Sequence, residues 1–238
     1  MRSEHKGLGQ AKDVSRFIIA IDGPSAAGKS TISRILAQRL GLVYINTGAM
    51  YRALAYKAAQ QALDFNDPEA LSRVAEGLNL TMRGEPDQLQ IVVDGEDVTE
   101  AIRSPEISQL SSVASAVPGV RRAMVALQRA LGAKGGVVLE GRDIGTQVFP
   151  NADLKVFLTA NPEVRARRRW IEEHSAGHPL TLEQLAEEIR ARDLRDQTRA
   201  DSPLRRADDA VVIDTSTLGL EEAVEQIVQL VGKKVQGS

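Results

Sequence analysis

Residues Gly23-Pro24-Ser25-Ala26-Ala27-Gly28-Lys29-Ser30 match G-x-x-x-x-G-K-[ST] at every fixed position, and Thr31 follows directly. The apolar run FIIAI precedes them. After them, Ile32, Ile35, Leu36 and Leu40 mark one face of a helix that Gly41 is suited to stop. A strand, a glycine-bearing turn and a helix N-terminus in that order form a cradle for phosphate. Glycine at 23 and 28 permits backbone angles and a close approach that a Cβ would block. The N–H groups of the loop and first helical turn present partial positive charge to β- and γ-phosphates. Lys29 adds a full, mobile charge, and Ser30 is suited to ligate Mg²⁺. The motif predicts a nucleoside triphosphate held by Gly23, Pro24, Ser25, Ala26, Ala27, Gly28, Lys29, Ser30 and Thr31.

The strand before this loop is the first of several. Apolar runs recur at Phe17–Ile21, Leu42–Ile45, Val137–Leu139, Leu154–Leu158 and Ala210–Ile213. Continuous runs this short, separated by helical patterns, are expected of strands buried on both faces of a parallel sheet. Thr181 with Gln184 three residues later has the form of a capping box, and Leu182, Leu185 and Ile189 follow on one face. The fold class predicted is α/β, a P-loop parallel sheet of about five strands with helices on both sides. One stretch breaks the alternation. Leu78–Arg83 and Leu89–Val93 flank the turn-rich GEPD, and a further turn follows at Asp94–Gly95. These predict a small antiparallel β insert within residues 64–108. Residues 1–16 read as a loose tail and GKKVQGS as a frayed end. The core is then expected to span 17–63 and 109–232.

Composition narrows the function. The chain carries 30 Lys+Arg against 32 Asp+Glu, a formal net charge of -2, with 3% aromatic residues. It lacks the overall basic footprint of a nucleic-acid binder. There is no cysteine, so disulfides and thiolate metal sites are excluded. His5, His174 and His178 are scattered and form no ligand cluster. No apolar run reaches the roughly 18 residues needed to span a bilayer, and the first residues have no apolar signal segment. A cytoplasmic monomer, binding neither membrane nor nucleic acid, is the expectation.

In open α/β sheets, ligands bind outside the carboxyl ends of the strands. The residues just past the proposed strands are Asn46-Thr47-Gly48-Ala49-Met50-Tyr51-Arg52, Glu140-Gly141-Arg142-Asp143, Thr159-Ala160-Asn161-Pro162 and Asp214-Thr215-Ser216. Polar and charged groups thus converge on one rim. GPSAAGKST, NTGAMYR, EGRDIGT, LKVFLTA and RDLRDQTR, in this order and spacing, resemble bacterial cytidylate kinases. The resemblance runs from about Phe17 to the C-terminal helix. It implies transfer of the γ-phosphate of ATP to CMP or dCMP, with Mg²⁺, and an insert at 64–108 that binds the monophosphate. One departure is visible: Asn46 stands where such kinases usually carry Asp.

Two phosphates must approach each other in that reaction, and arginine's planar, permanent charge suits this better than lysine. Arg52, Arg142, Arg192 and Arg199 are the candidates for the acceptor's phosphate. Ten arginines and no lysine lie between Arg165 and Arg206, among eight carboxylates. About half of these arginines, Arg190 and Arg206 included, are expected simply to pair with carboxylates on the surface. Arg192, Asp196 and Arg199 fall at i, i+4 and i+7, one face of a helix. Spacing alone reads them as a solvated stripe, whereas the resemblance implies contact with the acceptor's sugar and phosphates. It also implies that Thr47 and Tyr51 bind that phosphate, and that Ser112, Arg121 and Asp143 read cytosine. Arg165, Arg168 and Arg169 resemble a mobile helical lid at about 161–180 that closes on ATP; Arg165 and Arg169 are the nucleotide-binding candidates. Glu140, ending an apolar strand, is either a Mg²⁺ carboxylate or a helix-cap partner. Lys29, Arg142 and Arg199 are the expected catalytic cations.

The competing readings are a kinase for another small acceptor, such as shikimate, and a P-loop ATPase or nucleotide switch that binds RNA. The switch motifs N-K-x-D and D-x-x-G are absent, and aromatic stacking platforms are scarce.

Overall fold

A computed structural model describes residues 13–175, 177 and 180–236. Most of the proposed N-terminal tail, His178 of the proposed lid and the last two residues lie outside them.

Five parallel strands form the central sheet: β1 (Ile18–Asp22), β2 (Val43–Asn46), β6 (Val137–Gly141), β7 (Leu154–Thr159) and β8 (Val211–Asp214). Their order is β2-β6-β1-β7-β8, so the strand that feeds the phosphate loop is central. Each predicted run holds its strand to within a residue or two. Alternation distributes the side chains between two cores. Ile19 and Ile21 point into one layer with Ile32 and Leu36 of α1 (Lys29–Leu40) and Val224 and Ile227 of α8 (Leu220–Val235). Ala20 faces the other layer, with Met50 and Leu54 of α2 (Thr47–Gln60) and Val120 and Met124 of α5 (Pro118–Gly132). Helices therefore cover both faces.

Local chemistry sets the helix ends. Gly41 stops α1 at φ 64°, its N–H donating to Ala37 O and Gln38 O, the left-handed geometry glycine adopts without penalty. Thr181 and Gln184 form the expected reciprocal cap on α7 (Leu182–Thr198). Leu185 and Ile189 are buried, but Leu182 is 40% exposed. It sits in the first turn, ahead of the face that packs.

The insert is antiparallel, as expected, with strands β3 (Leu80–Arg83), β4 (Gln90–Val93) and a short β5 (Glu96–Asp97). It also contains a helix that strand patterning does not reveal, α3 (Pro68–Glu76), capped by Asp67 and packed against α5. The following helix, α4 (Pro105–Ala114), begins inside the proposed insert and runs past residue 108. The proposed lid region contains α6 (Pro162–Ser175), which packs against α7. No described helix is long and apolar enough to cross a membrane.

Candidate active site

The phosphate loop takes the strained path its sequence implies. Gly23 has φ 152°, and a Cβ there would fall 2.1 Å from Leu158 O. Gly28 caps α1 at φ 87°, and Ala26, which does carry a Cβ, is left-handed at φ 58°. Lys29 folds back so that its Nζ donates to Pro24 O at 2.6 Å. It is only 6% exposed. Burial, then the neighbouring Arg142, holds its pKa well below the ordinary lysine value.

Cations crowd the rim beyond β2 and β6. Arg192 is pushed down to about 10, first by burial and then by Arg142, with Arg52 and Arg169 adding to the repulsion. Arg52 is lowered chiefly by burial. Arg142 is compensated: burial is the largest influence and opposes its charge, but Asp196, whose Oδ2 accepts from Arg142 Nε at 2.8 Å, together with Asp193 and Glu140 leaves its pKa raised. Among the described residues several buried polar atoms have no hydrogen-bond partner, including Tyr51 OH, Arg52 Nε, Arg192 Nε and Arg199 Nη2. Buried donors left unmatched are costly unless a ligand completes them. Burial also pushes the Tyr51 hydroxyl up to about 12.

A small cavity of about 40 Å³ brings together eight of the ten acceptor candidates: Thr47, Tyr51, Arg121, Arg142, Asp143, Arg192, Asp196 and Arg199. Arg199 has just left the helix, as the residue that ends α7, yet it still reaches Asp143 and Asp196, each at 3.6 Å. Thr47 Oγ1 donates to Glu140 O at 2.6 Å, so its proton must be redirected before it can meet a phosphate. Two candidates lie elsewhere. Arg52 lines a cleft of about 950 Å³ that opens between α1 and the insert. Ser112 faces α7, accepting from Arg195 Nε at 3.3 Å, while Ser111 and Ser115 border the small cavity. A helix turns 100° per residue, and only the packing of α4 reveals which serine faces where.

Glu140 is the buried end of β6. Its Oε2 accepts from Ser30 Oγ at 3.0 Å, and its Oε1 accepts from Tyr44 OH. Asn46 Nδ2 donates to Tyr44 OH at 3.0 Å, while Asn46 Oδ1 caps α2 through Ala49 N–H. Glu140 is therefore not itself a helix cap; Asn46, the departure from the usual Asp, fills that role. A buried carboxylate hydrogen-bonded only by neutral hydroxyls, beside the loop serine, fits a divalent cation held mainly by phosphates and water. Among the described residues there is no cluster of three or more His, Asp or Glu, which Mg²⁺ of that kind does not need.

The lid arginines have protein partners. Arg169 pairs with Glu172 and Glu173 of its own helix, and Arg168 donates to Thr215 O and Oγ1. Arg165, expected at the nucleotide, is 7% exposed and engaged by Ala160, Ser25 and Asp193. Arg190 is the surface pair expected of it, bonded to Glu187 at 3.0 Å.

Two carboxylates escaped sequence reasoning. Asp22 closes β1 and accepts from Ile144 N–H at 2.8 Å and Gly145 N–H at 2.7 Å, tying the phosphate strand to the turn that carries Arg142 and Asp143. Its position past an apolar run was visible, one residue before the glycine loop. Asp193 falls off the i, i+4, i+7 stripe, but it lies four residues past Ile189 and continues the buried Leu185–Ile189 face of α7, the signal that could have found it.

The sequence model of the family described as "Cytidylate kinase" matches residues 19–233. Cytidylate kinase from Bacillus licheniformis is 48% identical over 223 residues, covering 93% of this chain and 98% of that protein. The enzyme of Solibacter usitatus is 49% identical over 222 residues, covering 92% and 94%. A crystal structure of an uncharacterized protein from Eubacterium ventriosum shares the fold, with a TM-score of 0.50 at 11% identity over 91% of this chain and 99% of that one.

Proposed function

The chain belongs to the cytidylate kinase family, and from that premise we propose that this site passes the γ-phosphate of ATP to a phosphate oxygen of CMP or dCMP. The observation that carries the reading is the excess of buried cationic donors: Lys29, Arg52 and Arg192 are all held below their ordinary pKa by burial. Two phosphate groups in their midst would satisfy the unmatched N–H groups and relieve the mutual repulsion.

In this reading, loop amides and Lys29 hold the donor's β- and γ-phosphates. Tyr51, Arg52, Arg142, Arg192 and Arg199 hold the acceptor phosphate in line, with Asp196 fixing Arg142. Thr47 joins them once its hydroxyl turns from Glu140 O. Arg121 and Asp143 read the base, and Ser112 joins them only if α7 and Arg195 withdraw. No general base is required, because the attacking group is already an oxyanion. Catalysis is positioning and charge neutralisation. Mg²⁺, when bound at Ser30 with Glu140 acting through water, would neutralise charge on the donor phosphates.

A cavity of about 40 Å³ is far below the roughly 300–1,000 Å³ of a typical small-molecule site. The acceptor must therefore part α4 and α7, and we assign the insert at 64–108 and the lid at about 161–180 to that opening and closing. Arg169, paired among the described residues with Glu172 and Glu173 of its own helix, is the lid arginine we assign to ATP. A family match across residues 19–233 does not favour the RNA-binding switch or the shikimate reading. A coupled ADP-release assay with CMP, dCMP, UMP, AMP and shikimate tests the assignment. Turnover led by CMP and dCMP supports it; turnover led by any other acceptor refutes it.

A further inference from the structure

Ala26 holds a left-handed backbone, φ 58°, inside the phosphate loop. An L-residue adopts that geometry at a cost, and it persists where the surroundings over-determine it. The residue before it is gripped at both of its peptide groups. Ser25 N–H donates to Asp193 Oδ1 at 3.2 Å, and Ser25 O accepts from Arg165 Nη1 at 3.1 Å. The two gripping side chains are bonded to each other, Arg165 Nη1 to Asp193 Oδ2 at 2.5 Å. Each is 7% exposed. Arg165 comes from the first turn of α6, where its Nε is also anchored to Ala160 O at 3.0 Å; Asp193 comes from α7. Helices α6 and α7 therefore converge on one residue of the loop.

We infer that Arg165 and Asp193 are positioning residues for the donor nucleotide, acting through Ser25 to hold the strained path at Ala26. The inference rests on the reading that this loop holds ATP. Asp193 does not line the acceptor cavity that its neighbours Arg192 and Asp196 line, so its effect falls mainly on the donor. The linkage runs both ways: a loop filled with phosphates steadies the Arg165–Asp193 pair, and with it the base of the lid.

The test is a set of variants measured for ADP affinity by calorimetry, for the KM of ATP and of CMP, and for thermal midpoint. Asp193→Ala should weaken ADP binding and raise the KM of ATP on the order of tenfold, with the KM of CMP within about twofold. Asp193→Asn, nearly isosteric, keeps an acceptor for Ser25 N–H but loses the ion pair; its loss should be intermediate, and it serves if the alanine variant does not fold. Ala26→Gly supplies the discriminating background, since glycine holds φ 58° without support. In a double-mutant cycle, the loss caused by the Asp193 change should be several-fold smaller in the Ala26→Gly background than in the chain that keeps Ala26. A pair that merely joins α6 to α7 would lower the midpoint and leave the cycle additive. Unchanged ADP affinity, equal rises in both KM values, or an additive cycle would each overturn the inference. Failure of the wild-type protein to bind ADP would instead defeat the phosphate-loop reading on which it stands.

Discussion

Arg121 and Asp143 meet at 2.5 Å between α5 and the turn after β6, with 2% and 7% of their side-chain surfaces exposed. Cytosine offers an amino donor at N4 and acceptors at N3 and O2, and this pair offers the complement; uracil reverses both polarities at C4 and N3. UMP would set its C4 carbonyl against a carboxylate, leaving both without a donor.

Asp143→Asn should therefore narrow the preference for CMP over UMP. An unmatched buried polar group costs about 1–3 kcal/mol, so the ratio of kcat/KM values should shrink roughly five- to 150-fold. Because Asp143 also neutralises Arg121 and lies 3.6 Å from Arg199, the thermal midpoint should fall as well. The ratio, which does not depend on the folded fraction, is the decisive measurement. A ratio that does not move would show that Asp143 plays no part in reading the base.

A lysine on a loop suggests a surface residue, yet Lys29 is 6% exposed and repelled by Arg142 and Arg192. Lys29→Met should lower kcat by several orders of magnitude while leaving the thermal midpoint equal or higher, since a disfavoured buried charge is removed. Turnover near wild type, or a large fall in the midpoint, would contradict this.

Arg142 and Arg206 test the sorting of arginines. Arg142 is half-buried and paired with Asp196, whereas Arg206 is exposed. Arg142→Ala should cost about 2–5 kcal/mol in kcat/KM for CMP, and Arg142→Lys should recover only part, because an ammonium cannot present the planar fork. Arg206→Ala should be near neutral. Similar losses at the two positions would mean that burial does not separate functional from solvated arginines here.

Asp22 supplies a pH signature. Burial raises its pKa to about 6, against an ordinary value of 3.8. The native state thus holds this proton more tightly than the unfolded chain. Asp22 contributes most stability below its unfolded pKa, and that contribution is lost as pH rises through about 6. A shift of about two units corresponds to about 3 kcal/mol. Denaturant unfolding at intervals from pH 4 to 7 should show Asp22→Asn gaining on the wild type by up to about that amount as pH rises. A constant difference across the range would show that the Asp22 pKa is not raised by folding.

The sequence by itself determined what depends on neighbours along the chain. The phosphate loop, the five apolar strand runs, the Gly41 stop and the Thr181–Gln184 cap are all matters of local backbone geometry and short-range hydrogen bonding, and each is in place. Helix α3 escaped because the reading of that segment rested on strand alternation, although Asp67-Pro68 is an N-cap followed by proline. The tertiary structure decided which charges are buried and which atoms meet. Arg121 and Asp143 lie 22 positions apart, Arg165 and Asp193 28, and Ser25 and Asp193 168. Ser112 turned from the cavity while Ser111 and Ser115 face it. Electrostatic energy depends on distance through space and on exclusion of water, and both arise only when elements from distant parts of the chain have packed.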